Sequence, residues 1–342
     1  MLFQITWFVL WGVLWAVYFM LDGFVLGVGI LENFLGRNDA EKRVMINTIG
    51  PVWDGNEVWL VTAGGATFAA FPTTYALMFS YLYTPLLLLL FALIIRGVSF
   101  EFRGKMQGGG WKKMWDAAIL VGSLVPALLF GVAFGNIFSG LPMDAAGYHG
   151  SLLYLLNPYG VLTGVLFVLL FVEHGALYLS VKTAGELKLR AIGVAKGIWP
   201  ALLTVAALFL AMTGFATNLY GNFFAVPALF AVPLAAVAAL ACTRLFTARG
   251  RMLKAFAASC FTIVLVVGTG VAGLFPNLIP SSLDPAYSLT IYNSSSSEYT
   301  LKIMTAVALI FVPVVIAYKI WVYRVFRGPV TIEDVETDEH AY

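Results

Sequence analysis

The sequence predicts an all-α polytopic membrane protein with nine transmembrane helices, arranged as two four-helix bundles plus one peripheral helix. Three observations carry that expectation. Of the 342 residues, 61% are apolar and only 11% charged, a balance that a water-facing surface of ordinary polarity does not allow. The apolar residues gather into runs of about 20 or more, the length an α-helix needs to cross about 30 Å of hydrocarbon with its backbone bonded internally. All of the 20 Lys and Arg residues except Lys302 fall into alternate connections between those runs, as retention of basic residues on the inner face requires.

The first run, 5–30, is too long for the core of a cleaved signal and has neither a basic start nor a small-residue cleavage site, so it is expected to stay as the first span. The runs 50–71, 73–97, 115–139, 157–181, 195–219, 223–243, 255–276 and 301–324 follow; the second opens on polar residues and the seventh is interrupted by proline. Arg37, Lys42 and Arg43 follow the first span, and Arg96, Arg103, Lys105, Lys112 and Lys113 lie between the third and fourth. Lys182, Lys188, Arg190 and Lys196 separate the fifth and sixth; Arg244, Arg249, Arg251 and Lys254 the seventh and eighth; Lys319, Arg324 and Arg327 close the ninth. The N-terminus is therefore expected outside and the C-terminus inside, as an odd number of spans requires. Within one integral membrane domain, 1–342, residues 1–140 read as a first four-helix unit, 157–276 as a second, 301–324 as the ninth helix and 325–342 as a cytoplasmic tail. A short echo fits that division: G-V-A-F-G-N from Gly131 and G-V-A-G-L-F-P-N from Gly270 close the fourth and eighth spans. The polar outside loop 277–300 reads as an ordered cap or a docking loop, and the acidic stretch Glu333 to Glu339 as a solvated end.

A net charge of +2 gives no ground for nucleic-acid binding. Cys242 and Cys260 form no C-x-x-C pattern and read as apolar thiols rather than a disulfide or an iron–sulfur site. His149, His174 and His340 are too few and too scattered for a haem or metal ligand set. No P-loop, nucleophile elbow or H-E-x-x-H occurs. The expectation is that this chain holds no catalytic, cofactor-binding or metal site, and that any redox centre belongs to another polypeptide.

Ionisable groups cost roughly 2.5–3.5 kcal/mol each at the centre of a span, so each needs a partner or a task. Asp22 lies deep in the first span beside Gly23. Asp54 and Glu57 stand three residues apart at the inner start of the second, on one helical face with Trp53, Asn56 and Trp59 around them. Arg96 ends the third span, and Glu173 and His174 adjoin in the fifth. One reading is a buried ion-pair network, with Arg96 neutralising Asp54 or Glu57, Glu173 and His174 forming a satisfied pair, and the tryptophans serving as an interfacial belt. The other is a hydrated proton path through Asp54, Glu57 and Asp22 from the inner face; Asp54 is its strongest member and Glu57 the weaker.

These residues lie in segments that resemble a known family. L-D-G-F-V-L-G-V-G (Leu21 to Gly29), F-L-G-R-N-D-A-E-K-R (Phe34 to Arg43) and, most specifically, G-P-V-W-D-G-N-E-V-W-L (Gly50 to Leu60) closely resemble subunit II of cytochrome bd quinol oxidases. So do R-G-V-S-F-E-F-R from Arg96, W-D-A-A-I-L-V-G-S-L-V-P from Trp115, L-L-N-P-Y-G from Leu155 and F-P-N-L-I-P-S-S from Phe275. The resemblance covers essentially the whole chain. It implies a respiratory enzyme of the bacterial cytoplasmic membrane that oxidises membrane quinol, reduces dioxygen to water and generates proton-motive force. It implies a heterodimer in which subunit I ligates two b-type haems and one d-type haem, while subunit II stabilises the assembly and binds none alone. By motif, Asp54 corresponds to the residue lining the family's hydrophilic path, and Asp22 to its D-G-F aspartate. Some members carry a second Asp three residues after that one, where this chain has Val25, so a route requiring that acid is not carried here. A quinone in this subunit and a small accessory subunit are left open; lipid is the solvent and nucleic acid is no partner. The rival is a stand-alone ion-coupled secondary transporter, whose polar ligands meet at mid-membrane; here the acids crowd toward the inner face instead.

Overall fold

The computed structural model describes residues 1–337. In chain order its helices are α1 (Leu2–Leu35), α2 (Asp39–Ile49), α3 (Trp53–Ala70), α4 (Pro72–Tyr81), α5 (Tyr83–Phe102), α6 (Gly109–Ser139), α7 (Leu152–Leu155) and α8 (Pro158–Lys182). They continue as α9 (Gly185–Ala216), α10 (Tyr220–Ala225), α11 (Ala231–Ala248), α12 (Met252–Leu274), α13 (Glu298–Val325) and α14 (Ile332–Thr337). Among the described residues, eight of these (α1, α5, α6, α8, α9, α11, α12 and α13) are long and apolar enough to cross a membrane. The run 50–71 is α3, a helix of 18 residues with Asp54 and Glu57 in its opening turns. The run 73–97 is not one helix: it divides at Leu82 into α4 and α5. Pro85 offers no N–H to Tyr81, and its ring crowds that carbonyl, so the helix cannot continue through this point.

Glycine sets the centre of the bundle. A Cβ on Gly27 of α1 would strike the Phe171 carbonyl and Gly175 of α8, and one on Gly175 would strike Gly27 and Val28. Nearer the start of α8, Gly131 of α6 meets the backbone of Thr163 and Gly164, and Gly135 meets the Thr163 side chain and the Gly160 backbone. Small residues spaced by four let apolar helices approach closely where no hydrophobic drive separates protein from lipid. Helix α8 is thereby held between α1 and α6, and aromatic rings fill what remains: Phe19 packs on Phe130, Phe134 and Phe167 at 5.1–5.5 Å. By contrast α13 is peripheral, burying only Leu301 and Lys319 along its length.

The 277–300 loop is an ordered cap. Strands β1 (Met143–Asp144) and β2 (Gly147–Tyr148) form one hairpin, β3 (Asn277–Ile279) and β4 (Leu289–Thr290) another, and Leu141 bridges to Ser281 between them. Ser296 donates its N–H to Ala70 at 2.9 Å and its hydroxyl to Ala69 at 2.6 Å, satisfying carbonyls that the end of α3 leaves free. Over its described part the acidic stretch keeps Glu333, Asp334 and Glu336 exposed, while α14 itself packs on α2 with Val335 buried, and the Val330 N–H donates to the Lys182 carbonyl at 2.8 Å. Lys182 in turn donates to the Phe326 and Gly328 carbonyls. Two apolar positions, Val330 and Val335, supply what anchors it; residues 338–342, with Glu339 and His340, lie outside the described part.

Candidate functional site

Asp22, Glu57 and Arg96 converge at the junction of α1, α3 and α5. Arg96 of α5 is fully buried, and its Nη2 donates to Asp22 Oδ2 of α1 at 3.0 Å and to Glu57 Oε1 of α3. Asp22 is also fully buried and accepts a long bond from the Tyr18 hydroxyl at 3.4 Å. One cation thus serves two carboxylates. Several atoms keep unused bonding capacity in the protein itself, namely Asp22 Oδ1 and Arg96 Nε and Nη1. Buried polar atoms of this kind are ordinarily satisfied by water.

The site residues read from the sequence are brought together with one exception. Arg96 neutralises Asp22 and Glu57, not Asp54. Asp54 is exposed in the first turn of α3, where the helix dipole favours an acid, three residues before Glu57. Asn56 is fully buried and ties three helices: its Nδ2 donates to the Leu21 carbonyl at 2.8 Å, while its Oδ1 accepts from Lys319 Nζ at 3.3 Å and the Tyr323 hydroxyl at 3.1 Å. The tryptophans turn inward rather than forming a belt. Trp53 lies over Gly97 and against Phe100 at 5.5 Å, and Trp59 is buried. Glu173 and His174 do not pair either, because adjacent residues on a helix point about 100° apart. Glu173 accepts from Thr243 at 3.1 Å, and the His174 ring nitrogens are engaged by Ser259 at 2.6 Å and the Met20 carbonyl at 2.9 Å.

Sequence reasoning missed Tyr18, Lys319 and Tyr323. The i,i+4 spacings of Tyr18 with Asp22 and of Lys319 with Tyr323 were the available signals. It also treated the basic loop residues as orientation markers only, whereas they weld the basic-rich ends of the helices. Lys42 Nζ reaches Asp116 at 2.7 Å, Asn33 at 2.9 Å and Glu32 at 3.3 Å, and Arg103 reaches Asp116 at 2.5 Å and Asp39 at 2.9 Å. Glu41 pairs with Arg190 at 2.6 Å, tying α2 to the start of α9. Partial burial works against ionisation of Asp39 and Glu41, but the bonds from Lys112 and Arg103 in one case and from Arg190 in the other outweigh it, holding both carboxyls below their ordinary range.

Among the described residues no three His, Cys, Asp or Glu gather as metal ligands. His149 is exposed in the β1–β2 hairpin on Asp144, and both nitrogens of His174 are already bonded. Both described histidines are thus engaged within the chain rather than presented as axial ligands.

A family model described as cytochrome bd terminal oxidase subunit II matches residues 3–326. The chain is 38% identical to the cytochrome bd-I ubiquinol oxidase subunit 2 of Escherichia coli K12, covering 99% of this chain and 98% of that protein. It is 40% identical to the cytochrome bd ubiquinol oxidase subunit 2 of Bacillus subtilis 168, covering 97% and 98% respectively. In fold it resembles a chain of the bd oxidase from Geobacillus thermodenitrificans, with a TM-score of 0.77 at 17% identity over 95% of this chain and 99% of that one.

Proposed function

Because the chain belongs to the cytochrome bd terminal oxidase subunit II family and is thus a subunit of an oxygen-reducing quinol oxidase, we propose that its own chemical task is to admit protons toward the site of oxygen reduction. Reducing dioxygen to water consumes protons, and taking them from the cytoplasm contributes to proton-motive force. In this reading the basic-rich ends of the helices face the cytoplasm of a bacterial inner membrane, with the N-terminus outside. The partner is a haem-bearing subunit I with two b-type haems and one d-type haem, which this chain stabilises while membrane quinol supplies the electrons. Residues 1–140 and 157–276 are the two four-helix units of the assembly, with α13 at its edge. Family membership over nearly the whole chain leaves stand-alone transport without support.

The observation that carries the reading is the buried Asp22–Arg96–Glu57 cluster, whose spare polar atoms call for water, one helical turn from the exposed acid Asp54. Asp54 takes a proton at the mouth, Glu57 and Asp22 receive it along water, and Arg96 keeps the two inner carboxylates from repelling one another. Trp53 and Trp59 wall the junction. The test is oxidase turnover per assembled haem in Asp54→Asn, which preserves size but removes the titrating group. Turnover is expected to fall about 100-fold, the usual scale of a lost proton-transfer group, with the haem spectrum intact. Wild-type turnover in a fully assembled complex would overturn the reading, and loss of assembly would assign Asp54 to the fold.

A further inference from the structure

Lys319 is the one basic group that α13 turns inward. That helix is otherwise open along its length, and Lys319 lies six residues before its end at Val325, about 9 Å along the axis. A lysine there ordinarily extends its stem to the water interface. Instead Lys319 is 9% exposed, with Nζ bonded to Asn56 Oδ1 at 3.3 Å and lying so close over Gly55 that a Cβ at that position would collide with it. Gly55 joins Asp54 to Asn56, so the ammonium stands between the exposed acid and the buried cluster. The charged groups that act on it are Asp54 of α3 and Asp22 of α1; beside it on Asn56 is the Tyr323 hydroxyl, itself near Asp22 and Cys260 of α12, and Asp22 carries the link to Arg96 and, through it, to Glu57.

We propose that Lys319 is the counter-charge of the Asp22–Arg96–Glu57 cluster, a positioning residue that balances the second carboxylate and keeps the mouth at Asp54 open to proton uptake. This rests on the proton-path reading above. Asp22 and Glu57 on one guanidinium leave a formal charge of −1, and Lys319 brings that inner set to zero, with Asp54 counted apart as the exposed acid at the mouth. In a medium of low dielectric an unbalanced charge is either compensated by a proton or disrupts the packing. Asn56 is the spacer that sets the distance: it fixes Nζ through its oxygen and α1, beside Asp22, through its nitrogen.

The experiment uses the full oxidase complex and three variants: Lys319→Gln, Lys319→Arg and the double Lys319→Gln/Glu57→Gln, in which the cluster charge is again zero. Where Lys319→Gln assembles, turnover per haem is expected to fall about 10- to 100-fold, the scale on which supporting groups act, and to recover in Lys319→Arg. Where Lys319→Gln does not assemble, the double variant is expected to restore haem-loaded complex. Wild-type turnover in assembled Lys319→Gln, an Arg variant as damaged as the Gln variant, or a double variant no better assembled than the single would each overturn the proposal. Asp54→Asn turning over normally would instead sink the proton path while leaving the charge-balance rescue in place, so the two failures are distinguishable.

Discussion

Replacing Arg96 by Met removes a cation while leaving most of the side-chain volume in place, and it is the sharpest test of how the inner junction is held. Arg96 and Asp22 are both fully buried, so bulk solvent does not screen their bond, whereas the Glu57 side chain keeps 20% of its surface exposed and can recover some hydration. Stranding Asp22 therefore sets the magnitude. Breaking a buried pair by deleting one partner costs about 3–5 kcal/mol, and with each factor of ten equal to about 1.4 kcal/mol, the folded-to-unfolded ratio falls by between about 100-fold and several-thousand-fold. Because native proteins are stable by only about 5–15 kcal/mol, that is a large share of the margin, and the yield and thermal midpoint of the complex should both fall. The assay is the amount of haem-loaded oxidase extracted per unit of membrane, with the midpoint of thermal inactivation for whatever survives. A second variant separates charge from packing: Arg96→Met combined with Asp22→Asn and Glu57→Gln buries no charge and should recover most of the yield, because removing a whole buried ion set is often close to neutral. Wild-type yield and thermal midpoint for Arg96→Met alone would refute the argument.

The remaining predictions follow from packing, linkage and topology. Gly27→Leu drives α1 off α8 and should abolish assembly, since overpacking a close contact costs about 1–3 kcal/mol or more, while Gly65→Ala, with nothing within 4 Å, should be silent; equal yields of the two variants would count against the crossing. Asp39 and Glu41 have lowered folded values, so their contribution is fully present above the ordinary carboxylate range near about 4 and is lost as pH falls through those lowered values. The protection factors of the α2 amides, taken against the intrinsic exchange rate at each pH, should accordingly stay constant from about pH 7 to 5 and fall below about pH 4; loss of protection already between 7 and 5 would contradict it. Cysteine labelling from either side should place the 103–113 loop inside and the 280–300 cap outside, and finding both on one face would reverse the orientation.

How much of this was legible in the sequence depends on the range of each interaction. Helix existence and fold class were readable because the lipid requirement is local: about 20 apolar residues in a row satisfy it whatever surrounds them. The Leu82 break was readable in principle from Pro85, a local steric fact, but the run of Leu residues after it outweighed the proline in a hydropathy reading. The site was half legible. Asp22, Glu57 and Arg96 stand out because a charge in hydrocarbon must be explained wherever it lies.

The choice of partners was made by the tertiary structure alone. Arg96 pairs with Asp22 across 74 positions and Lys319 reaches Asn56 across 263, and nothing in either neighbourhood specifies the other. Asp54 and Glu57 share a helical neighbourhood, yet one is exposed and the other meets the cluster, because α3 packs along α1 and reaches α5 through Glu57 and Trp53, while Asp54 lies off that face. Lys319 shows the difference most plainly: its position near a helix end marks it as one more inner-face cation, and only the packing of α13 on α3 turns it into the charge that the buried acids lack. Composition and periodicity determine which residues must leave water, and the helix crossings, set by glycines such as Gly27 and Gly175, decide which of them meet.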